Sequence, residues 1–234
     1  FGASAHKLAG SAYTLEQVIT AGIANCKRAC APYGALTALD VGPLGELLEP
    51  SGTLAFEDAV AEYARIVKAG EAAGADLIFF ETYTDLYELK AALLAAKENT
   101  HLPILASMSF EAGGRTFTGC TVESFAATAR GLGADAVGIN CSLGPKEIFP
   151  MAKRLAEAVP GNFPVFVKPN AGLPRADGSG YDITPQLFAL QMKPYRELHL
   201  FAAGGCCGTT PEFIKLLNGT FAGCTPGRPA HRMP

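Results

Sequence analysis

The sequence predicts an α/β fold: a βα barrel that lacks its first strand, first helix and most of its second strand. Three observations carry that expectation. Apolar runs begin near residues 35, 76, 103, 134, 164 and 199, which is 27 to 41 residues apart, the spacing of strand-then-helix units in a parallel sheet. The runs are apolar throughout rather than alternating, so the sheet is expected to be buried on both faces. Six such units fall short of the eight, in about 250 residues, that close a barrel. An open doubly wound sheet is the alternative, but no glycine-rich dinucleotide loop follows any of the runs.

In chain order, Thr14 and Gln17 are spaced as a capping box for a first helix. Ala35 to Val41 is a short β-type run ending in Asp40-Val41-Gly42-Pro43. Val60, Tyr63 and Val67 recur at helical spacing, and Leu77-Ile78-Phe79-Phe80 is a strand that ends in Glu81-Thr82. Asp85 and Glu88 can cap the next helix, whose buried face carries Leu86, Leu89, Leu93 and Ala96. Strands from Pro103 to Phe110, Ala134 to Cys141 and Pro164 to Val167 follow, with helices from about Val122 to Gly131 and from about Pro145 to Val159. A helix capped at Thr184-Pro185 leads to the last apolar run, Leu198 to Ala203. Residues 1–217 are expected to form the barrel domain. Residues 218–234, with three prolines, three glycines and no helical period, are expected to be a linker or disordered tail.

Bulk properties narrow the function. Hydrophobic residues are 49% and charged residues 18%, enough for a real core and against disorder. A net charge of −3 supplies no field for nucleic acid or an anionic membrane, so neither is an expected partner. There is no apolar run of about 18 residues and no basic-then-apolar leader, and a cytoplasmic location is expected. There the seven cysteines are expected to be reduced, metal-bound or catalytic. The chain opens on Phe-Gly without Met, as if cut from something longer.

Three of those cysteines share one setting. Ala136-Val137-Gly138-Ile139 runs into Asn140-Cys141, and the last apolar run drives into Gly204-Gly205-Cys206-Cys207-Gly208-Thr209-Thr210-Pro211. Both segments place thiols at the C-terminal end of a strand, where parallel α/β enzymes do their chemistry. Zinc prefers thiolates, and catalytic zinc keeps three protein ligands and an open fourth position. Two bland readings compete: cysteines as small hydrophobes and a vicinal disulfide. The first sits poorly with a Cys-Cys pair among glycines, and the second leaves Cys141 unexplained. Gly204-Gly205 could instead cradle a phosphate, although two thiolates there would repel it. Lys168, at the end of the preceding strand, is a candidate Schiff-base lysine, weighed against an ordinary solvated one. Glu81 ends a strand and could bind a ligand's amino group, or simply cap a helix. Cys26 and Cys30, four apart on one helix face, are a possible metal pair or packing residues. The four histidines show no metal spacing and are assigned nothing.

Gly138-Ile139-Asn140-Cys141-Ser142-Leu143-Gly144-Pro145 and Gly204 to Pro211 resemble the two zinc-binding motifs of the homocysteine S-methyltransferase family. Phe1-Gly2-Ala3, Asp40-Val41-Gly42-Pro43, Phe80-Glu81-Thr82 and Pro169-Asn170-Ala171-Gly172-Leu173-Pro174 also look like family segments, in the right order, and the similarity runs to about residue 217. Within the family, Gly42-Pro43-Leu44-Gly45 and Asn170 to Pro174 are most similar to the homocysteine-binding module of cobalamin-dependent methionine synthase. The resemblance implies a (βα)8 TIM barrel, a zinc ion on Cys141, Cys206 and Cys207 as the catalytic centre, Glu81 on the substrate's amino group and Asn140 lining the site. It implies methyl transfer to homocysteine to give methionine. The expected donor is methylcobalamin on another domain, with cobalamin- and folate-binding domains in a longer parent. The alternatives are betaine or S-methylmethionine as donor and, from a different class, a non-catalytic zinc-stabilised binding module.

The implied chemistry follows from the metal. A free thiol near pKa 8.5 is mostly protonated at neutral pH, whereas a thiol that coordinates zinc is deprotonated outright. The family's Asp-Gly-Ala-Met-Gly type turn is not present at the start of this sequence. With that turn and the first strand absent, the chain alone is expected to be inactive, with exposed sheet edges near Leu36 and Phe201.

Overall fold

A computed structural model describes residues 2–227. The chain divides into two compact units, one formed by residues up to Ala106 with Gly131–Ala134, the other by Ser107–Arg130 and residues from Asp135 onward.

The first unit holds α1 (Leu15–Cys30), β1 (Ala38–Val41), α2 (Phe56–Ala72), β2 (Leu77–Tyr83) and α3 (Leu86–Asn99), with the start of β3 (Ile104–Met108). Thr14 and Gln17 form the expected capping box on α1, and Asp85 accepts from the Tyr87 N–H to cap α3. β1 pairs with β2 in parallel, Ala38 opposite Leu77, and the Ile78 N–H donates to Pro103 O to bring in the β3 segment. Tyr63, Val67, Ile78, Phe80, Tyr83, Leu89 and Leu93 are fully buried between the sheet and α2 and α3. Burying each such side chain contributes about 1.5–3 kcal/mol.

Glu88 departs from expectation. It does not cap α3 but is buried, accepting from the Leu44 N–H at 2.7 Å and the Tyr63 hydroxyl at 2.9 Å. It thereby pins the loop after β1. Burial pushes its carboxyl pKa up, against the pull of those two donors.

The second unit carries the end of β3 and then α4 (Val122–Gly131), β4 (Ala136–Asn140), α5 (Pro145–Ala158), β5 (Val165–Lys168), α6 (Pro185–Met192), β6 (Ala202–Ala203) and α7 (Pro211–Thr220). β3, β4, β5 and β6 are neighbours in that order, β4 against β5 and β5 against β6 in parallel. Gly138 is glycine because a Cβ there would meet the Phe166 ring at 2.3 Å. The α/β fold with parallel strands each followed by a helix is therefore present, with six strands among the described residues.

The last strand is shorter than its apolar run. Lys193–Leu198 forms a 3₁₀ helix, His199 turns left-handed at φ 48°, and only Ala202–Ala203 joins the sheet. Before it, Leu200 is buried and the Phe201 N–H donates to Val165 O at 2.8 Å. α7 also continues through Thr220, past the boundary expected at residue 217; residues 228–234 of the expected tail lie outside the described residues.

β1 pairs on one side only within its unit, and Leu36 just before it is 52% exposed. An apolar groove of about 410 Å³ runs beside it, lined by Leu39 and Val41 with Ile19, Ile23 and Ile66. In the second unit a groove of about 220 Å³ follows Leu200 to Ala203 against Ile214, Leu217 and Phe221. Both expected sheet edges thus present apolar surface. Among the described residues, no helix is long and apolar enough to cross a membrane.

Candidate metal centre

Two strand ends of the second unit converge on three sulfurs. β4 delivers Asn140 and then Cys141 and Ser142, which take left-handed backbone angles in succession, φ 64° and 58°. Neither residue is glycine, so each position costs on the order of 1–3 kcal/mol, strain that concentrates at functional turns. The Cys141 N–H donates to Lys168 O at 3.1 Å, holding the turn against β5. The second segment is zipped onto the loop after β5. Gly204 N–H donates to Val167 O, Cys206 N–H to Pro169 O and Ala171 N–H to Cys207 O, at 2.8–2.9 Å. Gly208 then turns left-handed at φ 77°, as its glycine predicts, and Thr210 and Pro211 open α7.

As a result the Sγ atoms of Cys141, Cys206 and Cys207 all lie within 4.8 Å of one another, with Cys141 and Cys207 3.7 Å apart. Two sulfurs bonded to one tetrahedral zinc at about 2.3 Å stand about 3.8 Å apart. The Cys141–Cys207 separation therefore matches the ion, the Cys206 sulfur lies within reach, and the half-exposed position leaves a side open to a fourth ligand.

The surroundings supply donors to negative sulfur. The Cys206 thiol, hydrogen-bonded to Cys141, holds the Cys141 pKa down to about 5; the Ser142 N–H, Cys207 and Asn170 assist, and burial opposes. The same hydrogen bond pushes Cys206 well up. One proton is thus held between the Cys141 and Cys206 sulfurs.

Asn140 is fully buried. Its Nδ2 donates to Cys206 Sγ at 3.7 Å, and its Oδ1 accepts from the Ser107 hydroxyl at 2.8 Å. Ser109 donates to Asn140 O at 3.0 Å and, with its one proton so used, accepts from Ser142 Oγ at 2.7 Å. Asn170 accepts from the Cys207 N–H at 3.0 Å. Tyr181 lies with its ring on Gly208, where a Cβ would come within 2.3 Å of it.

Ser107, Ser109 and Tyr181 were not candidates from sequence. The two serines had a signal, since polar residues alternate in the run Ala106-Ser107-Met108-Ser109. Tyr181 had none, because it lies in a glycine- and proline-rich loop. Lys168 packs its stem along Gly204, its Cγ 3.2 Å from where a Cβ there would lie. Glu81 belongs to the first unit, half-buried on β2 and followed by Thr82 at φ 67°, another left-handed non-glycine residue at a strand end.

The family profile described as homocysteine S-methyltransferase matches residues 1–221. The chain belongs to that family. It is 35% identical over 162 residues to methionine synthase of Mycobacterium leprae and 36% identical over 150 residues to that of Mycobacterium tuberculosis. Those matches cover 66% and 61% of this chain but only 13% and 12% of the relatives, so the chain spans about an eighth of their length. The metallated form of the homocysteine methyltransferase MmuM from Escherichia coli superposes with a TM-score of 0.77 at 22% identity, over 94% of this chain and 76% of that one. Its apo form gives 0.71 over 88% and 73%. The fold is thus that of the family's barrel enzymes, with six of the strands among the described residues.

Proposed function

We propose that this chain binds one Zn²⁺ through Cys141, Cys206 and Cys207 and transfers a methyl group to the thiolate of homocysteine, giving methionine. The observation that carries the proposal is the three-sulfur cluster with sulfur spacing suited to a tetrahedral ion and an open side. Membership of the family supports the reaction class. The ion's contribution when bound is to hold the substrate sulfur deprotonated at neutral pH.

The protein's own residues account for the rest. Three thiolates make the site anionic, so sulfur brought to it remains electron-rich and nucleophilic. Asn140 orients Cys206 from beneath, and Asn170 fixes the Cys207 backbone. Asn140 is therefore proposed as a positioning residue touching the sulfurs more than a surface lining the substrate. Glu81 is proposed to take the substrate's ammonium group, and the strained Thr82 beside it is the supporting observation.

Methylcobalamin carried on another domain is the proposed donor, supported by the likeness to methionine synthases much longer than this chain. Betaine or S-methylmethionine acting directly on the same barrel is the second reading. The proposed location is cytoplasmic and the proposed partners are the cobalamin- and folate-binding domains of a longer protein. On this reading the described residues alone turn over little homocysteine, and the apolar grooves beside β1 and β6 are the supporting feature.

Metal analysis tests the centre. The chain should carry close to one zinc, and Cys206→Ala should reduce it to near zero. Unchanged zinc content refutes the ligand set. Methyl-transfer assays of the longer protein with each donor in turn then separate the donors.

A further inference from the structure

The first unit holds a second pair of sulfurs that the methyl-transfer reading does not use. Cys26 and Cys30 lie one turn apart on α1, and their Sγ atoms are 3.8 Å apart. Cys26 is exposed and lines the groove beside β1, and Cys30 is half-buried at the last position of the helix. Packing explains little of Cys26, since a thiol in water contributes no buried apolar area.

Beyond α1 the chain turns back through Ala31–Tyr33 and Gly34. Cys30 Sγ thereby comes to 3.9 Å from Leu36 O. The Cys30 sulfur thus lies between the end of α1 and the chain returning towards β1, with the Cys26 sulfur one helical turn before it.

We propose that Cys26 and Cys30 form a dithiol site for thiophilic ions that accept two sulfurs, such as trivalent arsenicals and soft divalent cations. Their separation is already that of two sulfurs on one tetrahedral ion, about 3.8 Å for bonds of about 2.3 Å. A disulfide, with a bond of about 2.05 Å, would require the sulfurs to close by nearly half their separation. Soft thiolate pairs select soft metals over the hard cations held by oxygen ligands.

The step balances without redox change. With phenylarsine oxide, two As–S bonds form, the As=O oxygen leaves as water carrying both thiol protons, and arsenic remains trivalent. With Cd²⁺, two Cd–S bonds form and two protons go to the buffer.

The test uses the full, reduced chain treated with phenylarsine oxide and washed with a monothiol, which strips single-sulfur adducts and leaves chelates. Intact mass should show that Cys26→Ala and Cys30→Ala each carry one arsenic fewer than the unsubstituted chain, while Cys224→Ala carries the same number. Cadmium titration should likewise lose one site in the two helix variants. Alanine favours the helix, so unchanged far-UV circular dichroism separates loss of the site from loss of the fold. Equal arsenic and cadmium counts in Cys26→Ala, Cys30→Ala and the unsubstituted chain would overturn the proposal. Because neither cysteine belongs to the three-sulfur cluster, failure here leaves the zinc assignment intact.

Discussion

Two sulfur pairs in this chain have almost the same separation, 3.7 Å for Cys141 and Cys207 and 3.8 Å for Cys26 and Cys30, yet their surroundings differ in every other respect. The first has a third sulfur within reach, the amides of Asn140 and Asn170, and two left-handed residues that aim the turn. The second has a carbonyl, solvent and the regular backbone of a helix. Spacing alone therefore makes a chelate, while donors and strain around the sulfurs make a centre with a preferred charge and an open face.

The sharpest way to break this contrast is at Gly208. Alanine there would need φ near 77° and would drive a Cβ to 2.3 Å from Tyr181. Gly208→Ala should cost roughly 2–4 kcal/mol of stability, from the left-handed angle and the overpacked ring together. It should also weaken zinc binding at least tenfold, while arsenical binding at Cys26 and Cys30 stays as it was. Thermal unfolding and a competitive zinc titration read both effects.

A smaller change concerns the amide donors. Asn140→Ala and Asn170→Ala should each lower zinc affinity about 10–100-fold, the usual scale for groups that orient ligands. Titration against a chromogenic chelator measures this. Affinity unchanged in both variants would mean that the sulfurs alone define the centre.

The smallest effect is one of reactivity. In the metal-free chain, Cys141, with its pKa near 5, is a thiolate at neutral pH, whereas the Cys30 thiol is pushed up, chiefly by its hydrogen bond with Cys26. Iodoacetamide attacks thiolates only. Cys141 should therefore be alkylated first at pH 6–7, at a rate nearly flat with pH, and Cys30 should follow only as pH rises. Peptide mapping over a pH series checks the order.

What could be read from residues was set by how local the cause is. The strand-and-helix order followed from apolar runs and caps such as Thr14, Asp85 and Thr184, each acting within a few residues. The three-cysteine cluster was legible because cysteines beside glycines at strand ends have few other uses. Glu88 was misread because its partners, Leu44 and Tyr63, lie 44 and 25 positions away. The short β6 was overread because apolar content does not distinguish a ladder from packing against a helix. Tyr181 remained invisible for a similar reason: its role depends on a glycine 27 positions on, which shows only once the loop is folded.

The brevity of β6 also bears on how fast the centre can exchange its metal. Ala202–Ala203 is the whole of the strand that carries Cys206 and Cys207, and a few backbone bonds to residues 165–171 hold the segment in place. Segments with so few ladder bonds detach by local opening, at a free energy well below that of global unfolding. Two of the three sulfurs can therefore swing away together while β4 and Cys141 stay folded. If zinc binds there as proposed, its loading and release should run on the timescale of a fraying sheet edge, and a chelator should empty the site of a chain that remains native.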